Sequence, residues 1–243
     1  MPVDMKQLIA QLAEGEILSR ETTRNAFLYM MNGDATGPQI GAFLIALRVR
    51  GERLDEITGA VEAMRSKALG IKAPKGSVDT CGTGGDTAGT YNISTAAAIV
   101  LAACGVPVAK HGNRAVSSKS GSADVLETLG VNINADMAIV KNCLKSLGIS
   151  FLMATRHHSA ARHVGPARAS LGTRTIFNLI GPLSNPAGTK YQVIGVYDQK
   201  WTRPMAEVLG ALGSECVWVV TGSDGLDEIT ITGETHVADR KSV

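Results

Sequence analysis

The 243 residues contain no run of about 18 consecutive apolar residues, the length a membrane-spanning helix requires. The opening Met1-Pro2-Val3-Asp4-Met5-Lys6 also lacks the apolar stretch of a secretory signal, so a cytoplasmic location without membrane partners is expected. Charge imbalance is absent too. Twenty-four Lys and Arg face 22 Asp and Glu, and the resulting +2 is too small for a polybasic nucleic-acid binder, which leaves small or local partners. The four cysteines, Cys81, Cys104, Cys143 and Cys216, show no C-x-x-C spacing, and no histidine lies at a zinc-ligand interval. They read as free thiols of a reducing compartment, mostly acting as small buried apolar residues. Neither a G-x-S-x-G elbow, a Walker lysine nor an obvious covalent nucleophile is present, so non-covalent displacement chemistry is expected. No internal repeat or low-complexity tract is evident.

What is there falls into two patterns. Residues 1 to about 70 read as four short helices, with Leu8, Ile9 and Leu12 on one face and Ala26, Phe27, Met30 and Met31 on the next. Ile40, Phe43, Leu44 and Leu47 mark the third, and Ile57, Val61 and Met64 the fourth. Thr36 and Gln39 have capping-box spacing, with Pro38 in the first turn. The pattern changes at Lys72-Ala73-Pro74-Lys75-Gly76. Strand-like runs at 77–80, 106–109 and 149–153 then alternate with helix-like stretches at 93–104, 123–129 and 137–147. Residues 156–190 interrupt this rhythm, and it resumes with 191–197, 203–212 and 216–221. The expectation is an α/β protein. A helical domain of residues 1–72, with part of 156–190 packed on it, would accompany a larger discontinuous α/β domain of 73–155 and 191–243 with a mostly parallel sheet.

Two loops carry the densest chemistry. Cys81-Gly82-Thr83-Gly84-Gly85-Asp86 runs on to Tyr91-Asn92-Ile93-Ser94-Thr95. Lys110-His111-Gly112-Asn113-Arg114 is followed by Ser117-Ser118-Lys119-Ser120-Gly121-Ser122. Each joins a strand-like run to a helix-like one. Glycine lets the backbone approach a ligand closely, and unpaired N–H groups of a first helical turn favour anions. Phosphate binding is one reading of the first loop and an ordinary strand-to-helix turn the other. The second loop adds Lys110, Arg114 and Lys119 to a set of hydroxyls, which fits phosphate or a solvated basic surface.

Asp227 and Glu228 follow the last strand-like run. Beside phosphates, two carboxylates suit Mg²⁺, whereas alone they suit a polar turn. Neighbours on a strand point to opposite faces, so both serve one ion only from a loop. His157, His158 and His163 are not spaced for a shared metal; a substrate contact is one reading for one of them, and solvated or capping roles are the reading for the others. Arg168 offers a planar fork for a carboxylate, or a surface ion pair.

Gly82-Thr83-Gly84-Gly85-Asp86, Asn92-Ile93-Ser94-Thr95, Lys110-His111-Gly112-Asn113-Arg114, the segment from Arg174 to Pro186 and Asp227-Glu228 occur in an order that resembles the anthranilate phosphoribosyltransferase family across essentially the whole chain. The resemblance implies a helical domain joined to an α/β domain of the nucleoside phosphorylase and phosphoribosyltransferase kind, paired as a homodimer through the helical part. The implied activity is transfer of phosphoribose from 5-phosphoribosyl 1-diphosphate to the amine of anthranilate in tryptophan biosynthesis. By motif, Gly82, Gly85, Asp86, Thr90, Asn92, Ser94, Thr95, Lys110, Ser118 and Ser122 would hold the donor. Ser94, Asp227 and Glu228 would hold Mg²⁺, and Asn113, Arg168, His111 and His158 would position anthranilate.

The family pattern is not followed everywhere. Ala154-Thr155 and His158-Ser159 stand where prolines are common, which is expected to loosen the anthranilate channel. The family also runs on beyond the length of this chain, so an incomplete α/β domain with apolar faces and a strand edge open is expected. Pyrimidine nucleoside phosphorylases share the architecture but resemble a Lys-His-Ser phosphate loop, where this chain has Asp79-Thr80-Cys81-Gly82-Thr83. A further, non-enzymatic alternative is a related scaffold that binds nucleic acid in its cleft, which the charge of +2 argues against, or a shortened chain that binds the donor without turning it over.

Overall fold

A computed structural model describes residues 3–85, 89, 91–115 and 120–241. Four helices come first: α1 (Met5–Ala13), α2 (Arg20–Asn32), α3 (Gly37–Arg50) and α4 (Leu54–Lys67). Strands and helices then follow as β1 (Val78–Asp79), α5 (Ile93–Ala103), β2 (Val108–Gly112), α6 (Ser122–Thr128), α7 (Met137–Ser146), β3 (Ile149–Met153) and the short α8 (Ala154–His157). After α9 (Gly165–Leu171) and α10 (Ile176–Ile180), the alternation resumes with β4 (Tyr191–Gly195), α11 (Thr202–Ala211), β5 (Cys216–Gly222) and β6 (Thr235–Lys241). The chain divides into two compact units, Met1–Ala68 with His158–Ser184 and Leu69–His157 with Asn185–Val243.

In the helical unit α1, α2 and α3 each start on a polar cap that satisfies otherwise orphaned N–H groups. Asp4 Oδ1 accepts from the amides of Lys6 (2.9 Å) and Gln7 (3.2 Å), and Ser19 Oγ from that of Thr22 (3.1 Å). Thr36 and Gln39 form the reciprocal box that their spacing indicates, at 2.9 and 3.4 Å. Glu56, fully buried, accepts from the amides of Leu18 and Arg53, each at 2.9 Å, and pairs with Arg50. The apolar faces enclose Phe27, Phe43, Leu44, Leu47 and Ile57 completely. The Phe27 ring meets Phe43 edge-on at 6.2 Å and Phe177 of α10 at 5.4 Å.

Among the described residues the sheet unit carries six strands in the order β3-β2-β1-β4-β5-β6, parallel except for β6, which runs antiparallel to β5. From β1 the chain builds outward on one side through β2 and β3, and on the other through β4 and β5. The boundary between β1 and β4 is therefore the place where strand order reverses. In open sheets of this kind the crevice beyond the carboxyl ends at such a boundary is where ligands sit. Ile71, Ala109, Val140, Leu144 and Leu152 form one buried cluster, and Ala123, Leu126, Ile133 and Met153 another.

Three sequence expectations change. The strand at 106–109 is found at Val108–Gly112, because burial carries it through Lys110 and His111, each 3% exposed, with the Lys110 ammonium and the His111 amide bonded along the way. No strand was expected at Thr235–Lys241, whose polar residues give almost no apolar alternation; it pairs with β5 along its full length. This edge strand bears Asp239, Arg240 and Lys241, charges that discourage further pairing. Only Cys81 of the four thiols is buried, Cys104 being exposed and Cys143 and Cys216 half-buried, so cysteine as core filler holds for one position.

Candidate active site

β1 ends at Asp79, and the chain turns through Gly82–Gly85 over the carboxyl ends of β1 and β4. Two bonds tie the loop to β4: the Thr83 amide donates to Gly195 O (2.9 Å), and the Tyr197 amide to Thr83 Oγ1 (3.1 Å). A third reaches the β5–β6 connection, where the Gly84 amide donates to Asp227 Oδ2 at 2.8 Å. Gly84 has φ 66°, which favours a residue without Cβ. Gly195 is required by contact, since a Cβ there would stand 1.5 Å from Asp227 O.

Asp227 and Glu228 lie between β5 and β6 rather than on a strand, which meets the condition for two neighbours to serve one place. Glu228 Oε1 accepts from the Ser94 amide (3.1 Å) in the first turn of α5, where the helix dipole favours an anion. Thr80 Oγ1 donates to Ser94 O at 2.9 Å. Lys110 comes from β2 and its Nζ donates to Thr80 O (2.9 Å) and Ser94 Oγ (3.3 Å). Thr95, buried on the same turn, donates to Asn92 Oδ1. One cation, two carboxylates, a serine hydroxyl and glycine amides therefore share one end of the sheet unit. Burial, then the Asp79 charge, pushes the Cys81 thiol far up, so it is no thiolate nucleophile.

Could this place hold a divalent cation? Among the described residues no group of three or more His, Cys, Asp and Glu is arranged for a metal. The donors present are all hard oxygens, those of Ser94, Asp227 and Glu228, which fits Mg²⁺ completed by waters and ligand oxygens.

At the second loop, the His111 amide donates to Asp79 Oδ1 (3.0 Å), Asn113 is exposed, and Asn113 O accepts from the Ala123 amide (3.2 Å) and Ser122 Oγ (3.5 Å). Arg114, for which the sequence leaves phosphate binding or a solvated basic surface open, forks onto Glu127 at 2.8 and 3.0 Å and reaches Asp124 at 3.0 Å. Asp124 also takes the amides of Ala115 and Gly121, and these bonds hold its carboxyl below the usual range. Asp86, Thr90 and Ser118, expected to hold the donor, and Lys119 lie outside the described residues.

Of the remaining residues, Gly82 and Gly85 stay in the first loop, whereas His158 and Arg168 belong to the helical unit. His158 is buried and its carbonyl accepts from the Ala161 amide (2.9 Å). The Arg168 guanidinium stacks on Phe177 at 4.8 Å, and burial lowers its pKa. The sequence reading missed Asp79 and Asn185, both buried, and Gly195. The one available signal was an acid at the end of an apolar strand.

The chain matches a glycosyl transferase family helical bundle domain over residues 6–68 and the α/β domain of that family over residues 74–242. It is 64% identical to the anthranilate phosphoribosyltransferase of Rhodospirillum rubrum over 97% of this chain and 68% of that protein. The chain belongs to the anthranilate phosphoribosyltransferase family. The Azospirillum brasilense member is 61% identical, over 98% of this chain and 66% of its own. The chain thus spans about two thirds of the length of these curated relatives. Among solved anthranilate phosphoribosyltransferases, that of Thermus thermophilus superposes with a TM-score of 0.89 at 44% identity, covering 96% of this chain and 70% of that one. The Saccharomyces cerevisiae enzyme in complex with PRPP and Mg gives 0.86 at 28%, over 98% and 72%. The same yeast enzyme has also been solved with 4-fluoroanthranilate, with a TM-score of 0.84 at 26% identity, over 98% and 70%.

Proposed function

We propose that this chain transfers the phosphoribosyl group of 5-phosphoribosyl 1-diphosphate to the amine of anthranilate, releasing pyrophosphate, in tryptophan biosynthesis. The observation that carries the reading is the convergence of Gly84, Ser94, Lys110, Asp227 and Glu228 at one end of the sheet. Glycine amides and the first turn of α5 receive the diphosphate, and Lys110 adds a buried positive charge. Gly82, Gly85, Asp86, Thr90, Asn92, Thr95, Ser118 and Ser122 complete the donor site in this reading. Ser94, Asp227 and Glu228 hold Mg²⁺, which when bound stabilises negative charge on the leaving diphosphate. Anthranilate's aromatic amine is neutral at pH 7 and needs orientation rather than a strong base. Asn113, His111 and His158 supply that orientation, and Arg168 takes the carboxylate. A homodimer through the helical unit and a cytoplasmic location belong to the same reading, the former open to sedimentation equilibrium.

The test follows loss of anthranilate fluorescence with donor and Mg²⁺, against a control without metal. Metal-dependent turnover supports the reading, and a folded protein that binds neither donor nor anthranilate removes it. Asp227→Asn with Glu228→Gln is expected to abolish the Mg²⁺ dependence of donor binding while the protein still folds. Arg168→Ala is expected to raise KM for anthranilate more than for the donor; equal effects would give Arg168 a structural role.

A further inference from the structure

Two buried polar side chains beneath the site take no part in that reading: Asp79, fully buried, and Asn185, 3% exposed. β1 pairs with β2 only at Val78 and Val108, while β2 continues beside β3 to Gly112. Backbone groups alternate sides along a strand. Val108 donates toward β3 through Gly148 O, and Pro107 O accepts from Val78 on the β1 side, so Ala109 and His111 also face the side that β1 has left. Buried backbone groups there require partners. Asp79 and Asn185 supply them. Asp79 Oδ1 accepts from the His111 amide (3.0 Å), and Asn185 Nδ2 donates to Ala109 O (2.9 Å) and Asp79 Oδ2 (2.7 Å). Asn185 Oδ1 is fixed in turn by the Ala187 amide at 2.8 Å. These bonds replace the missing rungs and set how far the two strands stand apart. Lys110 lies between the two replaced rungs, and its ammonium reaches across to Thr80 O and Ser94 Oγ, so its position depends on that separation.

We propose that Asp79 and Asn185 are a positioning pair that fixes the β1–β2 split and thereby the point at which Lys110 presents its charge to the donor's phosphates. The inference rests on the donor-binding reading above. Donor binding in the presence of Mg²⁺ is measured by calorimetry for the unaltered protein, Asp79→Asn, Lys110→Met and the double variant, with Asn185→Ala as a second probe of the pair. With Lys110 present, Asp79→Asn weakens binding by about tenfold or more, the effect of disturbing one charged hydrogen-bonding group. In the Lys110→Met background the same change alters binding by less than about twofold, because a residue acting through Lys110 has nothing left to position. Asn185→Ala shows the same dependence on Lys110. Equal losses in both backgrounds overturn the proposal, as does failure of both Asp79→Asn and Asn185→Ala to fold. Absence of donor binding by the unaltered protein overturns the functional reading itself, which is a distinct result.

Discussion

In the helical unit Phe27, Phe43, Leu44 and Leu47 are sealed from solvent, and Ile17 and Val49 are the large apolar exceptions among the described residues. The sheet unit leaves more showing: Ile99 and Val100 on α5, Ile139 on α7 and Trp218 on β5 are 43–60% exposed. One unit thus leaves few large apolar side chains exposed among the described residues. The other relies more on hydrogen bonds at strand ends, such as those of Asp79, Thr83, Asn185 and Glu228. Damage to the first should therefore appear as lost stability, and damage to the second as lost geometry at the carboxyl ends of the strands.

The contrast breaks most readily at Phe27. Phe27→Ala is expected to cost about 3–5 kcal/mol in urea unfolding, and a loss below about 1 would mean the helical core is not close-packed. Asp79 sharpens the other side. Burial, opposed by Lys110 and by hydrogen bonds, raises its carboxyl from 3.8 to about 6. Between those values the folded state holds a proton that the unfolded chain releases. The stability this group contributes is therefore fullest below about pH 4 and is lost as pH rises through about 6, about 3 kcal/mol in all. Asp79→Asn should flatten that part of the stability-versus-pH curve, and an unchanged slope would assign it to other groups. Thr36→Ala, which removes a cap in the helical unit, should cost about 1 kcal/mol by thermal or urea melting. Ile99→Ala on the exposed face of α5 should move stability by no more than about 0.5 kcal/mol, and a larger change would show that this face is covered in solution.

Legibility followed the range of the interactions. Helices announced themselves through local periodicity, and the Thr36–Gln39 box through three-residue spacing. β3 was readable as a short apolar run, but β6 was not, because its exposed polar residues give no alternation. Family motifs named Asp227 and Glu228, yet their bonds to Gly84 and Ser94 span 143 and 134 residues and leave no local trace. The same holds for Asp79 and Asn185, 106 apart. Arg114 looked available for phosphate because its carboxylate partners on α6 were not apparent as such.

The ring contact between Phe27 and Phe177 also has a consequence in time. A nascent chain displays α1 to α4 long before α10 leaves the ribosome, and β1 to β3 are made in between. The bundle cannot close its centre during that interval, so the earliest-made helices wait with an aromatic socket vacant. Slowing synthesis between Lys67 and Thr175 would lengthen that wait, and misassembly in the cell should rise with it even though the finished protein is unchanged.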